Sequence, residues 1–214
     1  MKRYMREGFS EKLRQLGRMI DFVTLLIVQS RRRRIPRLTT LRKAAFIELG
    51  PGPTRLAFLK RRLFAQVYFL DQDDFGKSDR GLTICDLEDC DSAQRILSRL
   101  RHVEEAAPVF FFADHCVEHL STDVVLNLLD SIGSAGYSAC FRVPNILSDA
   151  GLRNFERDVT HRSAFDENLR NKIRAMGFEI VPWIRWYRFQ SSFGSTQTKM
   201  NKAEEIAICC TGDL

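Results

Sequence analysis

Six apolar residues near the start of the chain, Phe9, Leu13, Leu16, Ile20, Val23 and Ile27, recur at alternating steps of four and three. That spacing draws one apolar stripe along a helix and predicts the face the helix buries. Arg6, Lys12, Arg14 and Arg18 fall largely elsewhere on the wheel, and the helix is expected to end near Gln29 and Ser30. Arg31 to Arg34, followed by Pro36, form an exposed connector, because four adjacent guanidinium groups repel one another and resist burial. Beyond it the period changes. Apolar runs of strand length cover 44–49, 67–70, 82–85, 109–113 and 137–143, with helical patterns over 54–63, 93–100 and 122–132. Another helix is expected over 167–176, capped by Gly177. Two further strands, 178–189 and 204–210, flank a polar loop at 190–202. Strands that are apolar throughout and alternate with helices predict a parallel sheet covered on both faces.

Composition narrows the class without naming a function. The 214 residues, 44% hydrophobic and 28% charged, suit one globular domain with a full core. The net charge of +6 is concentrated at one end. Residues 1–43 carry about thirteen basic and three acidic groups, which leaves the remainder near −4. This divides the chain into a basic helical segment and connector (1–43), for which a lid, a dimer seam and a membrane contact are all open, and a mildly acidic body (44–214). Arg31–Arg34 can bind RNA or an acidic membrane surface, although a solvated helix face and connector is the simpler account. DNA is not expected. Cys85, Cys90, Cys116, Cys140, Cys209 and Cys210 show no C-x-x-C pairing and read as reduced thiols, which suits the cytoplasm. The apolar stretch 22–28 is too short for a bilayer span and wrongly placed for a signal peptide.

The sharpest chemical signal is Phe46-Ile-Glu48-Leu-Gly50-Pro-Gly52-Pro-Thr54-Arg55-Leu56, a buried strand running into two glycines before a helix. Glycines there let the backbone turn tightly and approach a ligand. A dinucleotide fingerprint would place a third glycine at Arg55, so a nicotinamide cofactor is disfavoured, and no phosphate-loop motif occurs. Asp71 closes the second strand, about twenty residues on, where a carboxylate accepts two hydrogen bonds from a ribose diol. Asp73 and Asp74 are alternatives for that role. His115-Cys-Val-Glu118-His119 also spells a zinc-peptidase motif, but it directly follows a strand, which puts His115 in the turn rather than on a helix.

Taken together in this order, the segments resemble the class I S-adenosylmethionine-dependent methyltransferases over roughly residues 44–210. Glu48-Leu-Gly50-Pro-Gly52 is similar to their cofactor loop, Asp71 to their ribose acid, and Asp86-Leu87 to the pair that meets adenine. Phe112-Ala113-Asp114-His115-Cys-Val-Glu118-His119-Leu120 is similar to their fourth strand and its H-x-L-E-H continuation. Pro144-Asn145 and Asp158-Val-Thr-His161, followed by Phe165, Leu169 and Gly177-Phe178, resemble a small-molecule subgroup that includes ubiquinone and sugar methyltransferases. The sequence departs from the pattern at Pro53 and at Cys116-Val117. The resemblance implies a Rossmann-like, doubly wound, mostly parallel seven-stranded sheet with an antiparallel last strand, plus the N-terminal helix as a cover. It implies S-adenosylmethionine held by Glu48, Gly50, Gly52, Asp71, Asp86, Leu87 and Asp114. The acceptor would meet His115, Asn145 and Tyr187, with His161 or His119 as general base, although His161 serves equally well as a structural residue that fixes the loop before the helix at 167. Some similar ubiquinone-pathway enzymes hold a divalent metal with this segment. Here Glu118 and His119 are expected instead to bond to neighbouring loops, and no metal ligand is assigned.

Methyl transfer is an in-line displacement at a carbon activated by a sulfonium, so the protein mainly supplies position. Transfer or cyclisation of the aminocarboxypropyl group uses the same cofactor, and an RNA-directed methyltransferase and a non-catalytic interaction protein are further alternatives. Trp183 and Tyr187 lie on the sixth strand, where aromatic residues are more often core or sheet face than acceptor contacts. The acceptor is decided by loops such as 147–160 and 190–202, which carry no general code.

Overall fold

A computed structural model describes residues 2–52, 56–72, 82–88, 108–183 and 203–212. In chain order the elements are α1 (Lys2–Arg31), α2 (Leu38–Leu41), β1 (Ala45–Leu49), α3 (Ala57–Leu63), β2 (Gln66–Asp71), β3 (Leu82–Ile84), β4 (Val109–Asp114), a 3-10 turn (Val117–His119), α4 (Thr122–Ser134), β5 (Ser138–Pro144), α5 (Asp149–Arg157), α6 (Glu167–Ala175), β6 (Glu179–Trp183) and β7 (Glu205–Cys210). The seven strands form one sheet in the order β3-β2-β1-β4-β5-β7-β6. All neighbours pair parallel except β7, which runs antiparallel to both β5 and β6. This is the doubly wound arrangement the alternating pattern predicts. The expected helix at 93–100 and the loop at 190–202 lie outside the described residues.

Strand alternation sorts the core into two layers. Ile47, Leu49, Phe111, Phe141, Ile206 and Ile208 face Val125, Leu128, Leu129 and Ile132 of α4 and Leu169 and Ile173 of α6. On the other side Phe46, Phe110, Phe112, Ala207 and Cys209 pack against Phe22, Leu25 and Leu26 of α1, Ile35 and Leu41 of the connector, and Phe64 after α3. Asp166 caps α6 by accepting from the Leu169 amide at 2.8 Å. Gly177, at φ +88, follows the helix as expected.

Two expectations are corrected. The stripe of α1 that packs is not the predicted one. Phe22, Leu25, Leu26 and Gln29 are buried, whereas Leu16 is 50% and Ile20 39% exposed. Residues 22–28 are apolar at every position but Thr24, so the sequence offers several equivalent faces. A phenylalanine-rich sheet selects the arc bearing Phe22, whose ring meets Phe112 at 5.0 Å and Phe46 at 5.9 Å, both edge-on. Full burial of such side chains contributes about 1.5–3 kcal/mol each. The second half of α1 is therefore core. The other correction is α5, which occupies much of the expected loop 147–160. Ser148 caps it, its hydroxyl accepting from the Gly151 amide at 3.1 Å. Only Gly151 of that helix is buried, so no apolar stripe announces it. No helix among the described residues is long and apolar enough to cross a membrane.

Candidate functional site

The site forms where the parallel strands end. Beyond β1 the chain turns through Gly50 (φ +57) and Gly52 (φ +59). The Gly50 amide donates to Leu70 O at 2.8 Å and the Gly52 amide to Asp71 Oδ2 at 3.1 Å, which pins the loop to the end of β2. A Cβ on Gly50 would lie 2.4 Å from Cys116 Sγ. After β4 the chain turns again at His115 (φ +53), whose amide donates to Arg142 O at 3.0 Å.

The same alternation that buries Phe46, Phe112, Cys140 and Ala207 carries Glu48, Asp114, Arg142 and Glu205 onto the α1 side of the sheet at this edge. Asp114 and Arg142 are register partners. They make a two-pronged ion pair, Nε to Oδ1 at 2.6 Å and Nη2 to Oδ2 at 2.5 Å. Arg142 also approaches Glu205 Oε2 at 3.6 Å and Asp21 Oδ2 of α1 at 4.0 Å. Burial alone would raise the Asp114 carboxyl, but Arg142 and His115 hold it below its ordinary value. Glu48 is buried against Lys60 of α3, whose ammonium reaches both carboxylate oxygens and lies 5.4–5.9 Å from the ring centres of Phe22, Phe46 and Phe69. Burial pushes Glu48 up to about 7 despite that ammonium.

Two cavities meet at this edge. The larger, about 650 Å³, opens between α1 and the sheet and is bounded by Arg18, Asp21, Glu48, Lys60, Arg142 and Asn154, among others. The smaller, about 200 Å³, is bounded by Asp71, Asp86, Leu87, Cys116, His119 and Leu120. Gly50, Gly52 and His115 border both. His115 donates from Nδ1 to Glu118 Oε1 at 2.9 Å and from Nε2 to Glu205 Oε1 at 3.1 Å. With both ring nitrogens donating it is an imidazolium. Burial opposes the charge, but the two carboxylates raise its pKa to about 10.

Behind His115 stand two further histidines. His161 Nδ1 donates to Phe155 O at 2.7 Å, which turns its Nε2 toward Glu118 Oε1, 4.0 Å away. Thr160 Oγ1 donates to Asp158 Oδ1 at 2.5 Å and accepts from His119 Nδ1 at 2.8 Å, which leaves His119 Nε2 available. The two rings lie 4.7 Å apart. Glu118 is fully buried, and its Oε2 has no hydrogen-bond partner among the described residues. One ligand atom from each of Glu118, His119 and His161 falls within 4.8 Å of the others. The sequence assigned no metal ligand, and the geometry brings a possible third, His161, to the two considered there. Second-partner hydrogen bonds at Nδ1 are what orient imidazoles toward a cation.

The predicted site residues divide as follows. Glu48, Gly50, Gly52, Asp71, Asp86, Leu87, Asp114, His115 and His119 border the cavities. His161 borders neither and stands behind His119. Asn145, expected at the acceptor, is fully buried away from both. Its amide donates to Ala203 O at 2.6 Å and accepts from Arg170 Nη2 at 2.6 Å, so it ties β5 to α6 and to the start of β7. Trp183 is core, as expected. Tyr187 lies outside the described residues. Sequence reasoning missed Lys60, Arg142, Glu205, Asp21 and Asn154. Arg142 did leave a signal, a lone charge in an otherwise apolar strand, whereas Glu205 is one of two adjacent glutamates that open the last strand.

No protein-family profile and no curated protein sequence matches the chain. Solved structures do. A SAM-dependent methyltransferase from Archaeoglobus fulgidus superposes with a TM-score of 0.56 at 15% identity, over 95% of this chain and 98% of that one. A small RNA methyltransferase, HEN1, superposes with a TM-score of 0.54 at 14% identity over 86% of this chain, which spans 25% of the HEN1 chain. At such identities the likeness establishes the fold: a Rossmann-like, mostly parallel sheet of the kind built by S-adenosylmethionine-dependent methyltransferases.

Proposed function

We propose that the chain is an S-adenosylmethionine-dependent methyltransferase acting on a small-molecule acceptor. The observation that carries this reading is the pair of cavities joined at Gly50, Gly52 and His115, with Asp71 fixed at the lip of the smaller one. The smaller cavity takes adenosine, with Asp71 on the ribose and Asp86-Leu87 at the base. The aminobutyrate end crosses the glycine loop, and the larger cavity beneath α1 admits the acceptor. Its walls carry Arg18, Lys60 and Arg142 beside Asp21, Glu48 and Asp114, which suits a polar acceptor. When bound, S-adenosylmethionine would supply a methyl carbon open to in-line attack by the acceptor's lone pair, the carbon–sulfur bond breaking to release a neutral thioether. His119 borders only the smaller cavity and His161 neither, so a hydroxyl acceptor in the larger cavity would give its proton to a carboxylate on that wall, Glu48 being the one raised to about 7. Residues 1–43 supply one wall of the acceptor cavity through Arg18, Asp21 and Phe22.

A second reading of the histidines is favoured by Glu118 Oε2, which has no hydrogen-bond partner among the described residues. Glu118, His119 and His161 fit a divalent cation, which when bound would stand beside the smaller cavity, bordered by His119, and would polarise an oxygen presented there. Aminocarboxypropyl transfer remains the rival reaction, separated by its product, methylthioadenosine rather than S-adenosylhomocysteine. The test of the cofactor site is calorimetric titration with S-adenosylmethionine and S-adenosylhomocysteine. Micromolar binding is expected. Asp71→Ala removes two hydrogen bonds to a charged acceptor, each contributing about 1.5–3 kcal/mol, and should weaken binding at least about 100-fold. No binding of either ligand, or unchanged binding by the variant, overturns the assignment.

A further inference from the structure

Between Asp21 and Glu48 the chain contains no acidic residue, yet it carries Arg31, Arg32, Arg33, Arg34, Arg37, Arg42 and Lys43. The fold lays this stretch across one edge of the sheet. Arg34 is anchored to Glu179 at the start of β6, Nε to Oε2 at 2.7 Å. Thr211, just beyond β7, donates to Arg33 O at 3.2 Å. Lys43 lies two residues before β1 begins. From β6 to β1 the sheet steps through β7, β5 and β4, and four strand spacings are about 19 Å. Along that path the apolar residues Ile35, Leu41 and Ala44 are 1–2% exposed. Arg31, Arg32, Arg33, Arg37, Arg42 and Lys43 all point to solvent, and among the described residues none of them pairs with a carboxylate. The result is a cationic ribbon on a fixed backbone.

We propose that this ribbon is a docking surface for the phosphodiester backbone of single-stranded RNA. Its linear form and closely spaced guanidinium groups match a run of phosphates, which arginine contacts through two-pronged hydrogen bonds. A membrane would ask for apolar side chains to insert, and Leu38 alone is a large exposed hydrophobic in this stretch. The ribbon lies at the edge opposite the cavities. Arg18 borders the larger cavity and Arg31 is thirteen residues further along α1, about 20 Å at 1.5 Å per residue. The ribbon thus holds the protein on RNA without placing that stretch of strand in the cavity.

The test uses the intact chain and a fluorescein-labelled twenty-nucleotide polyuridine, with anisotropy followed from 50 to 200 mM KCl. Four to six phosphate contacts predict a log–log salt slope of about −3 to −4. Arg31→Gln/Arg32→Gln/Arg33→Gln/Arg37→Gln should bind at least 30-fold more weakly at 50 mM KCl with a much flatter slope. Arg153→Gln/Arg157→Gln/Lys172→Gln, which removes exposed charge elsewhere, should stay within threefold of wild type. S-adenosylmethionine titration of the ribbon variant should be unchanged, which separates failure here from failure of the methyl-transfer reading. Four results overturn the proposal: no RNA binding by wild type, equal binding by the ribbon variant, an equal loss in the control variant, or binding to phosphatidylserine vesicles in place of RNA.

Discussion

Replacing Gly50 by alanine isolates what the cofactor loop demands of its backbone. Two penalties are separable. Gly50 sits at φ +57, where an L-residue costs about 1–2 kcal/mol. Its new Cβ would also lie 2.4 Å from Cys116 Sγ and 2.7 Å from Cys116 Cβ, and overpacking of that kind costs about 1–3 kcal/mol. Gly50→Ala should therefore destabilise by about 2–5 kcal/mol in all. Gly52 has nearly the same φ, +59, but nothing lies within 4 Å of a Cβ built there, so Gly52→Ala should carry only the backbone cost of about 1–2 kcal/mol. Cys116→Gly removes both clashing atoms and leaves the Cys116 Cα at 3.8 Å, an ordinary contact. A urea-denaturation cycle of Gly50→Ala, Cys116→Gly and the double variant should then show a coupling of about 1–3 kcal/mol, with the double variant better than the sum of its parts. Additive effects, or equal losses at Gly50 and Gly52, would refute the reasoning.

Further tests bear on charge and on the histidines. His115 is raised from 6.5 to about 10, so its contribution to stability is complete below pH 6.5 and is lost as pH rises through about 10. The melting-temperature gap between wild type and His115→Gln should accordingly shrink between pH 6 and pH 10, and a constant gap would contradict the imidazolium. Glu48, raised to about 7, acts in the same direction at lower pH, its share of stability fading between about pH 4.5 and 7. A Glu48→Gln variant should lose that slope. Bound Mn²⁺ followed by electron paramagnetic resonance should be retained by wild type and at least tenfold weaker in His119→Ala/His161→Ala, and equal retention would mean that the three side chains are no cation site.

The sheet was legible because β1, β4 and β5 are apolar on both faces, which leaves few other readings. The glycine loop and Asp71 were legible because turn chemistry is local. What escaped depends on the third dimension. Lys60 sits among basic neighbours on a helix, and nothing in Leu59-Lys60-Arg61-Arg62 distinguishes the one that turns inward to Glu48. The packed face of α1 could not be chosen from a segment apolar on every side. Asn145 follows the fifth strand as a substrate contact would, but the guanidinium of Arg170, twenty-five residues later, claims its carbonyl oxygen. Placing His161 behind His119 needed the path of α5, which hides its helix by burying little more than a glycine.

The placement of β7 bears on how the molecule is made. β7 follows every other described strand in the chain yet sits inside the sheet, between β5 and β6. During synthesis β6 therefore emerges before β7, the one strand it pairs with among the described residues, and the facing edge of β5 stays open until residues 205–210 arrive. The buried face of α1 waits longer still, since Phe22 finds Phe46 early but Phe112 and Ala207 late. Such long-range closure slows folding and leaves sticky strand edges exposed on the nascent chain. A ribosome stalled before β7 would hold an incomplete sheet, and a chaperone that shields open strand edges should engage this protein at that stage.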